Sequence, residues 1–276
     1  MKKIVLPTDF SEVAQNALVY ALELAKTFEA ELLLVHTYEL PIIEHQMAPQ
    51  NYQVLFDSLE WANFDQFKNT MPSIHAIADQ HHAEHVRLTP VIMDGDLLFN
   101  LKTLIANEKA DFVVMGTSGA SGWKEYFTGS NTADAILNLQ VPVLSIPVAA
   151  HFDGIQTVGF TTRFREKDKP ALQHVIDFAK HWNAKVKCIY VEPYDTENTT
   201  ATYEDWIDHF RKEPVSFHII PSEAVEDTIS DFIKRESIDI MAMMTNKHNF
   251  FVQLFTESFT EKMANHASIP ILALHE

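Results

Sequence analysis

The chain has a single cysteine, Cys188, and only 7 glycines among its 276 residues. One cysteine excludes a framework of intrachain disulfides and is typical of a protein in a reducing cytoplasm. No apolar run approaches the roughly 20 residues that a membrane-spanning helix needs. The apolar run at residues 4–7 ends at Thr8-Asp9, too early for the core of a signal peptide. We therefore expect a cytoplasmic protein with no membrane partner.

Basic residues are also scarce. The chain has 21 Lys and Arg against 38 Asp and Glu, which gives a formal net charge of −17. Proteins that bind nucleic acids in general need clustered Lys and Arg to contact phosphate backbones, so we expect no nucleic-acid partner. A hydrophobic content of 46% and a charged content of 21% are typical of a globular protein. The length is sufficient for two ordinary domains, each with a core.

Apolar runs with strand character alternate along the first half with segments of helical periodicity. The strand-like runs are residues 3–7, 31–36, 87–92, 111–115 and 141–147. Helical spacing covers residues 13–28, 54–85 with an interruption near Pro72, 97–107 and 132–139. Residues 38–51 lack periodicity and are predicted to form a loop. This alternation predicts an α/β fold with a parallel sheet flanked by helices.

The second half of the chain repeats the first. Thr162-Arg163-Phe164 corresponds to Thr8-Asp9-Phe10 at an offset of 154 residues, and residues 239–243 correspond to 111–115 at an offset of 128. The first copy therefore carries 26 extra residues, which we place between residues 38 and 85. We predict two tandem doubly wound domains, residues 1–150 and 151–276, each with a five-stranded parallel sheet.

Four of the 7 glycines lie in one stretch, residues 115–131, between a predicted buried strand and a predicted helix. Glycine allows backbone N–H groups to approach a phosphate, and a helix N-terminus supplies further donors and a positive dipole end. The hydroxyls of Ser130 and Thr132 would add donors. The pattern predicts a phosphate-binding loop.

The second copy has lost this pattern. Gly116, Gly119, Gly122 and Gly129 correspond to Met244, Lys247, Phe250 and Glu257, and Asp9 corresponds to Arg163. Side chains at all four positions, one of them a carboxylate, are expected to close a backbone anion site and repel phosphate. We predict that the first domain is competent for a nucleotide and that the second is structural.

The spacing Gly116-x2-Gly119-x9-Gly129-Ser130, after a strand that ends in Met, resembles the nucleotide loop of the universal stress protein family. The start of the chain, residues 4–11, is similar to the first strand and turn of that family. The resemblance covers the whole chain as a tandem pair and implies the adenine nucleotide alpha hydrolase-like fold. It also implies an ATP site formed by Pro7, Thr8, Asp9, Thr37, Met115, Gly116, Gly119, Gly129, Ser130 and Asn131.

In the ATP-binding members of that family, the position of Asp9 contacts adenine and ribose, and the position of Thr37, after the second strand, lies beside the base. The glycines and Ser130 hold the phosphates, which often carry a divalent cation such as Mg²⁺. Asn131 departs from the small apolar residue of many binders, but an amide can still donate to a phosphate. Family members pair through the closing strand, which implies an intramolecular pseudo-dimer here and leaves a further homodimer open.

The sequence contains no nucleophile elbow, no P-loop and no Mg²⁺-binding carboxylate after the glycine-rich loop. We therefore predict a regulatory nucleotide-binding protein, not an enzyme, with at most slow ATP hydrolysis. His81 and His85 have helical spacing but no third metal ligand, so no metal site is predicted. Two alternatives stay open: a ligand-free interaction protein, and an enzyme that uses His36 or Asp9. ATP, ADP and AMP are not distinguished.

Overall fold

A computed structural model describes residues 2–39, 49–117, 131–194, 199–245 and 269–275. The chain forms two compact units, Met1–Met115 and Gly116–Glu276. Both are α/β units in which helices flank strands that are mostly parallel, as the sequence predicts. Among the described helices, none is long and apolar enough to cross a bilayer.

The first unit alternates strands and helices without interruption. Its elements are β1 (Lys3–Pro7), α1 (Glu12–Phe28), β2 (Glu31–Tyr38), α2 (Pro49–Gln80), β3 (Leu88–Asp94), α3 (Leu97–Glu108) and β4 (Phe112–Thr117), the last of which runs two residues into the second unit. The strand order is β3-β2-β1-β4, and each pair is parallel. The middle strands are buried on both faces, which explains their continuous apolar runs.

The local sequence determines where helix α1, which follows the turn after β1, begins and ends. The side chain of Ser11 accepts a hydrogen bond from the N–H of Ala14 and caps the helix. Glu12 lies in the first turn, where a negative charge is favourable. Small and aliphatic residues at helical spacing form the buried face, and Glu29 ends the helix in a left-handed conformation.

Three sequence-based boundaries need correction. Helix α2 passes through Pro72 instead of stopping near it, although Pro72 has no N–H for the helical hydrogen bond. Strand β2 extends to Tyr38, so Thr37 lies inside the strand, paired with Met93, and not after it. Strand β4 extends to Thr117, so Gly116 belongs to a strand and not to the glycine-rich loop.

The second unit contains the end of the first repeat and the whole of the second. Its elements are α4 (Asn131–Asn138), β5 (Val143–Pro147), β6 (Thr157–Thr161), a 3-10 turn (Glu166–Asp168), α5 (Lys169–Lys180), β7 (Lys185–Glu192), α6 (Thr199–His209), β8 (Val215–Pro221), α7 (Val225–Arg235), β9 (Ile240–Thr245) and β10 (Ile271–His275). The strand order is β5-β10-β9-β6-β7-β8. Cys188 is fully buried in β7, and burial raises the pKa of its thiol.

Strands β5 and β10, the closing strands of the two repeats, pair antiparallel, with Leu272 opposite Leu144 and Ile271 opposite Ser145. The hydroxyl of Ser145 donates to the carbonyl oxygen of Ile271 at 3.3 Å. This pairing explains why β5 falls in the second compact unit although the sequence places it in the first repeat.

Candidate functional site

The first unit contains a reversal of strand order at β1. The chain passes from β1 to β2 on one side of β1, and after β3 it places β4 on the other side. Open α/β sheets bind ligands at the carboxyl ends of their strands at such a reversal. Pro7, Thr8 and Asp9 lie at the carboxyl end of β1, and Met115 lies near that of β4. The fold therefore brings these predicted residues to one edge of the sheet.

The turn after β1 is held by hydrogen bonds of its own. The N–H of Thr8 donates to the carbonyl oxygen of Val35 at 2.8 Å, and the N–H of Phe10 donates to the Thr8 hydroxyl at 3.0 Å. Phe10 has a φ of 64°, a left-handed conformation that is uncommon outside glycine. The N–H of Ser11 donates to Oδ1 of Asp9 at 3.0 Å. The turn thus holds an exposed carboxylate at the sheet edge.

His36 links this turn to helix α2. Its Nδ1 lies 2.9 Å from the carbonyl oxygen of Thr8, and its Nε2 lies 3.2 Å from Oδ1 of Asn63. Its ring also packs against Phe10, with 4.8 Å between the ring centroids. Both ring nitrogens are therefore engaged, which favours a structural His36 over a catalytic base.

The end of β2 adds a hydroxyl and a phenol near the same sheet edge. Thr37 is partly buried within the strand. Burial raises the pKa of the neighbouring Tyr38, and the carboxylates of Glu60 and Asp94 raise it further. The phenol of Tyr38 therefore stays protonated and neutral at neutral pH.

The helix that follows the glycine-rich loop is attached to the end of β4. The hydroxyl of Thr132 donates to the carbonyl oxygen of Gly116 at 3.2 Å. Thr132 is buried, so its hydroxyl serves this attachment, which corrects the expectation that it donates to a phosphate. Asn131 is exposed and is the first residue of the helix. Gly119, Gly129 and Ser130 lie outside the described residues, and their role stays a prediction.

The second repeat preserves the turn but not its carboxylate. The N–H of Thr162 donates to the carbonyl oxygen of Ile189 at 3.0 Å, and the N–H of Phe164 donates to the Thr162 hydroxyl at 2.9 Å. Phe164 has a φ of 55°. These features match those around Thr8 and Phe10, so the turn keeps this hydrogen bond and its left-handed residue although Arg163 takes the place of Asp9. The left-handed conformation of this phenylalanine was not predicted from the sequence. The Thr-x-Phe pattern, which occurs in both repeats, was an available signal for it.

The part of the chain that the structure describes holds no group of three or more His, Cys, Asp or Glu placed around one point. Nδ1 of His81 lies 3.4 Å from a carboxylate oxygen of Glu23, and the backbone carbonyl of His81 accepts a hydrogen bond from Lys26. His81, which follows the end of α2, thus contacts residues of helix α1.

A family model described as the universal stress protein family matches residues 1–147 and 154–275. A universal stress protein of Methanocaldococcus jannaschii is 26% identical over 145 residues, which are 52% of this chain and 81% of that protein. The crystal structure of a universal stress protein from Archaeoglobus fulgidus shares the fold, with a TM-score of 0.73 at 17% identity over 99% of this chain and 96% of that one. A family member from Arabidopsis thaliana, solved with AMP bound, matches 53% of this chain and 92% of its own at 17% identity, with a TM-score of 0.36.

Proposed function

Because the chain belongs to the universal stress protein family, we propose that it binds ATP, or a related adenine nucleotide, in its first repeat. The site lies at the carboxyl ends of β1, β2 and β4. Among the described residues it comprises Pro7, Thr8, Asp9, Thr37, Met115, Gly116 and Asn131, with Gly119, Gly129 and Ser130 proposed to hold the phosphates. The role we propose is regulatory, and the second repeat contributes no nucleotide site.

The arrangement of Asp9 is the observation that carries the proposal. Its side chain is exposed at the strand-order reversal, and Oδ1 is fixed by the N–H of Ser11. Oδ2 has no hydrogen-bond partner among the described residues. A carboxylate oriented in this way can accept hydrogen bonds from ribose hydroxyls or an adenine amine.

The phosphates would meet backbone donors of the glycine-rich loop and the start of the helix Asn131–Asn138. A helix N-terminus favours negative charge because its first N–H groups lack intrahelical partners. In this proposal, Mg²⁺ is carried by the phosphates and not by protein carboxylates. The residues after the loop that the structure describes supply no cluster of acidic ligands for it.

A regulatory role is favoured over catalysis by the contacts of His36. Both of its ring nitrogens contact the backbone of Thr8 or the side chain of Asn63, so neither is available as a base without breaking a contact. We therefore propose that ATP acts on conformation or partner choice, with slow hydrolysis at most.

Asp9→Asn tests the site directly. Asparagine keeps the oxygen that accepts from the N–H of Ser11 but removes the negative charge. A hydrogen bond to a charged group contributes roughly 1.5–3 kcal/mol, so we expect the calorimetric affinity for MgATP to fall about 10-fold or more with an unchanged melting temperature.

Arg163→Asn is the matched control, since it alters the corresponding turn of the second repeat, and it should leave ATP affinity unchanged. Unaltered affinity in Asp9→Asn would contradict the proposed role of this carboxylate. An absence of ATP binding in the wild type would favour the ligand-free interaction protein instead.

A further inference from the structure

The second repeat contains a cavity of about 260 Å³. It lies at the carboxyl ends of β6, β7 and β9, where the strand order of this repeat reverses around β6. The sequence predicts a purely structural second repeat, so an open pocket at this place is unexpected.

Part of the lining of this cavity corresponds to residues of the proposed nucleotide site. Thr162 and Arg163 take the positions of Thr8 and Asp9, at the offset of 154 residues. By the same two offsets, Val191 takes the position of Thr37, and Met244 takes that of Gly116. The second repeat has thus kept a pocket at the corresponding place in the fold, but different side chains line it.

At position 163 of the pocket, the positive charge of an arginine replaces the negative charge that Asp9 carries in the first repeat. Arg163 is exposed, and its side chain forms no ion pair with any residue in the described ranges. The neighbouring Arg165 is compensated, because its Nη2 lies 2.8 Å from Oδ1 of the buried Asp168. Asp168 also accepts from the Thr162 hydroxyl and the N–H of Arg163, both at 3.4 Å.

Among the described residues, Arg163 therefore contributes to the pocket a positive charge without an ion-pair partner, in a chain whose formal net charge is −17. A guanidinium presents a planar set of N–H donors that matches the oxygens of a carboxylate or a phosphate group. The side chain at this position is suited to an anion, whereas Asp9 in the first repeat is suited to hydroxyl and amine donors.

The remaining walls are mostly apolar. They are formed by the ends of β7 and β9 and by one face of helix α7, with side chains Ile189, Tyr190, Val191, Val225, Ile229 and Met244. Apolar walls with a few polar groups are typical of small-molecule pockets, which for drug-sized ligands usually hold about 300–1,000 Å³. A volume of about 260 Å³ is suited to a smaller molecule.

We propose that this cavity binds a small organic anion, a carboxylate or phosphate monoester with a compact apolar body, whose charged group pairs with Arg163. ATP is not its ligand, because no carboxylate takes the place of Asp9 and the Met244 side chain takes the place of Gly116. The protein would thus carry two sites of different specificity built on one repeated framework.

The experiment uses the full chain labelled with ¹³C at the methionine methyl groups. Met244 lines the second pocket and Met115 lies at the first site, so their NMR signals report the two sites separately, once assigned with Met244→Leu and Met115→Leu. The probes are benzoate, phenyl phosphate and the uncharged benzamide. We expect a saturable shift of the Met244 methyl signal with benzoate or phenyl phosphate, at least 10-fold weaker binding of benzamide, and no shift of that signal with ATP.

Arg163→Asp, which introduces the residue of the first repeat, should abolish the response of Met244 to both anions. Arg163 is exposed, and a preserved methyl spectrum verifies that the variant is folded. Asp9→Asn is the matched control and should leave the response of Met244 unchanged. The tighter of the two anionic probes identifies the preferred charged group.

The proposal is overturned if neither anion gives a saturable shift of Met244, if benzamide binds as well as the anions, or if Arg163→Asp retains the response. A saturable shift of Met244 with ATP alone would also overturn it. The first site is judged separately from the response of Met115 to ATP, so failure at one site is not mistaken for failure at the other.

Discussion

Gly159 of β6 lies opposite Met241 of β9, and a Cβ atom on Gly159 would come within 2.7 Å of the Met241 sulfur. The corresponding residues of the first repeat are Val5 and Val113, which lie opposite each other in β1 and β4. Val5, Val113 and Met241 are all fully buried. One long side chain beside a glycine thus replaces two side chains of intermediate size, so the two repeats fill the same place in the core differently.

Gly159→Val should therefore destabilise the protein. Overpacking of a core costs about 1–3 kcal/mol, and we expect a reduction of that size in the free energy of unfolding measured by urea denaturation. The double variant Gly159→Val/Met241→Val rebuilds the pair of the first repeat and should recover most of the loss. Simple additivity of the two single effects would show that the residues do not compensate each other.

His36 should stabilise the junction between helix α2 and the turn after β1. His36→Leu removes the contacts with the carbonyl oxygen of Thr8 and with Asn63, and should lower the free energy of unfolding by about 1–3 kcal/mol. Hydrogen exchange should accelerate at the amides of Phe10 and of α2 near Asn63. If the wild type hydrolyses ATP slowly, the hydrolysis rate per bound nucleotide should be retained in His36→Leu. A selective loss of turnover with unchanged stability would instead identify His36 as a base.

Glu236 should contribute stability that depends on pH. Hydrogen bonds from Lys187, which has the larger effect, and from Arg235 lower the pKa of Glu236 from 4.5 to about 2. Because the folded state holds the carboxylate ionised, this stabilisation is complete above pH 4.5 and is lost as the pH falls toward 2. After solvent screening we expect Glu236→Gln to cost about 1 kcal/mol at neutral pH.

Urea unfolding of Glu236→Gln and the wild type at a series of pH values provides the measurement. The difference in unfolding free energy should shrink steadily below pH 4.5 and approach zero near pH 2. A difference that stays constant over this interval would show that Glu236 acts through packing and not through its charge.

The α/β fold and the tandem repeat could be predicted from sequence because buried parallel strands carry continuous apolar runs. Strand β1 was predicted with its observed ends, since Pro7 and the polar Thr8-Asp9 mark where the run stops. The ends of β2 and β4 could not be predicted in the same way. Thr37 and Tyr38 extend β2 through pairing with Met93 and Asp94, and composition alone does not reveal such pairing.

The candidate site was predictable in its residue types but not in its geometry. The left-handed φ of Phe10 and the contacts of His36 depend on tertiary packing around α2. The cavity beside Arg163 was missed for a different reason. The loss of glycines suggested a closed site, whereas the apolar walls come from residues distant in sequence, such as Val225 and Met244.

We propose that the first repeat binds ATP and that the second does not. The most direct measurement is a calorimetric titration of the wild type and of Gly129→Glu with MgATP. This substitution places in the first repeat the glutamate that the second repeat carries as Glu257, so the chain supplies its own negative control.

We predict that the wild type binds one ATP per chain with micromolar affinity, roughly −8 kcal/mol, and that Gly129→Glu does not bind. Two ATP molecules per chain, full binding by Gly129→Glu, or no binding by the wild type would show that ATP binding is not confined to the first repeat in this way.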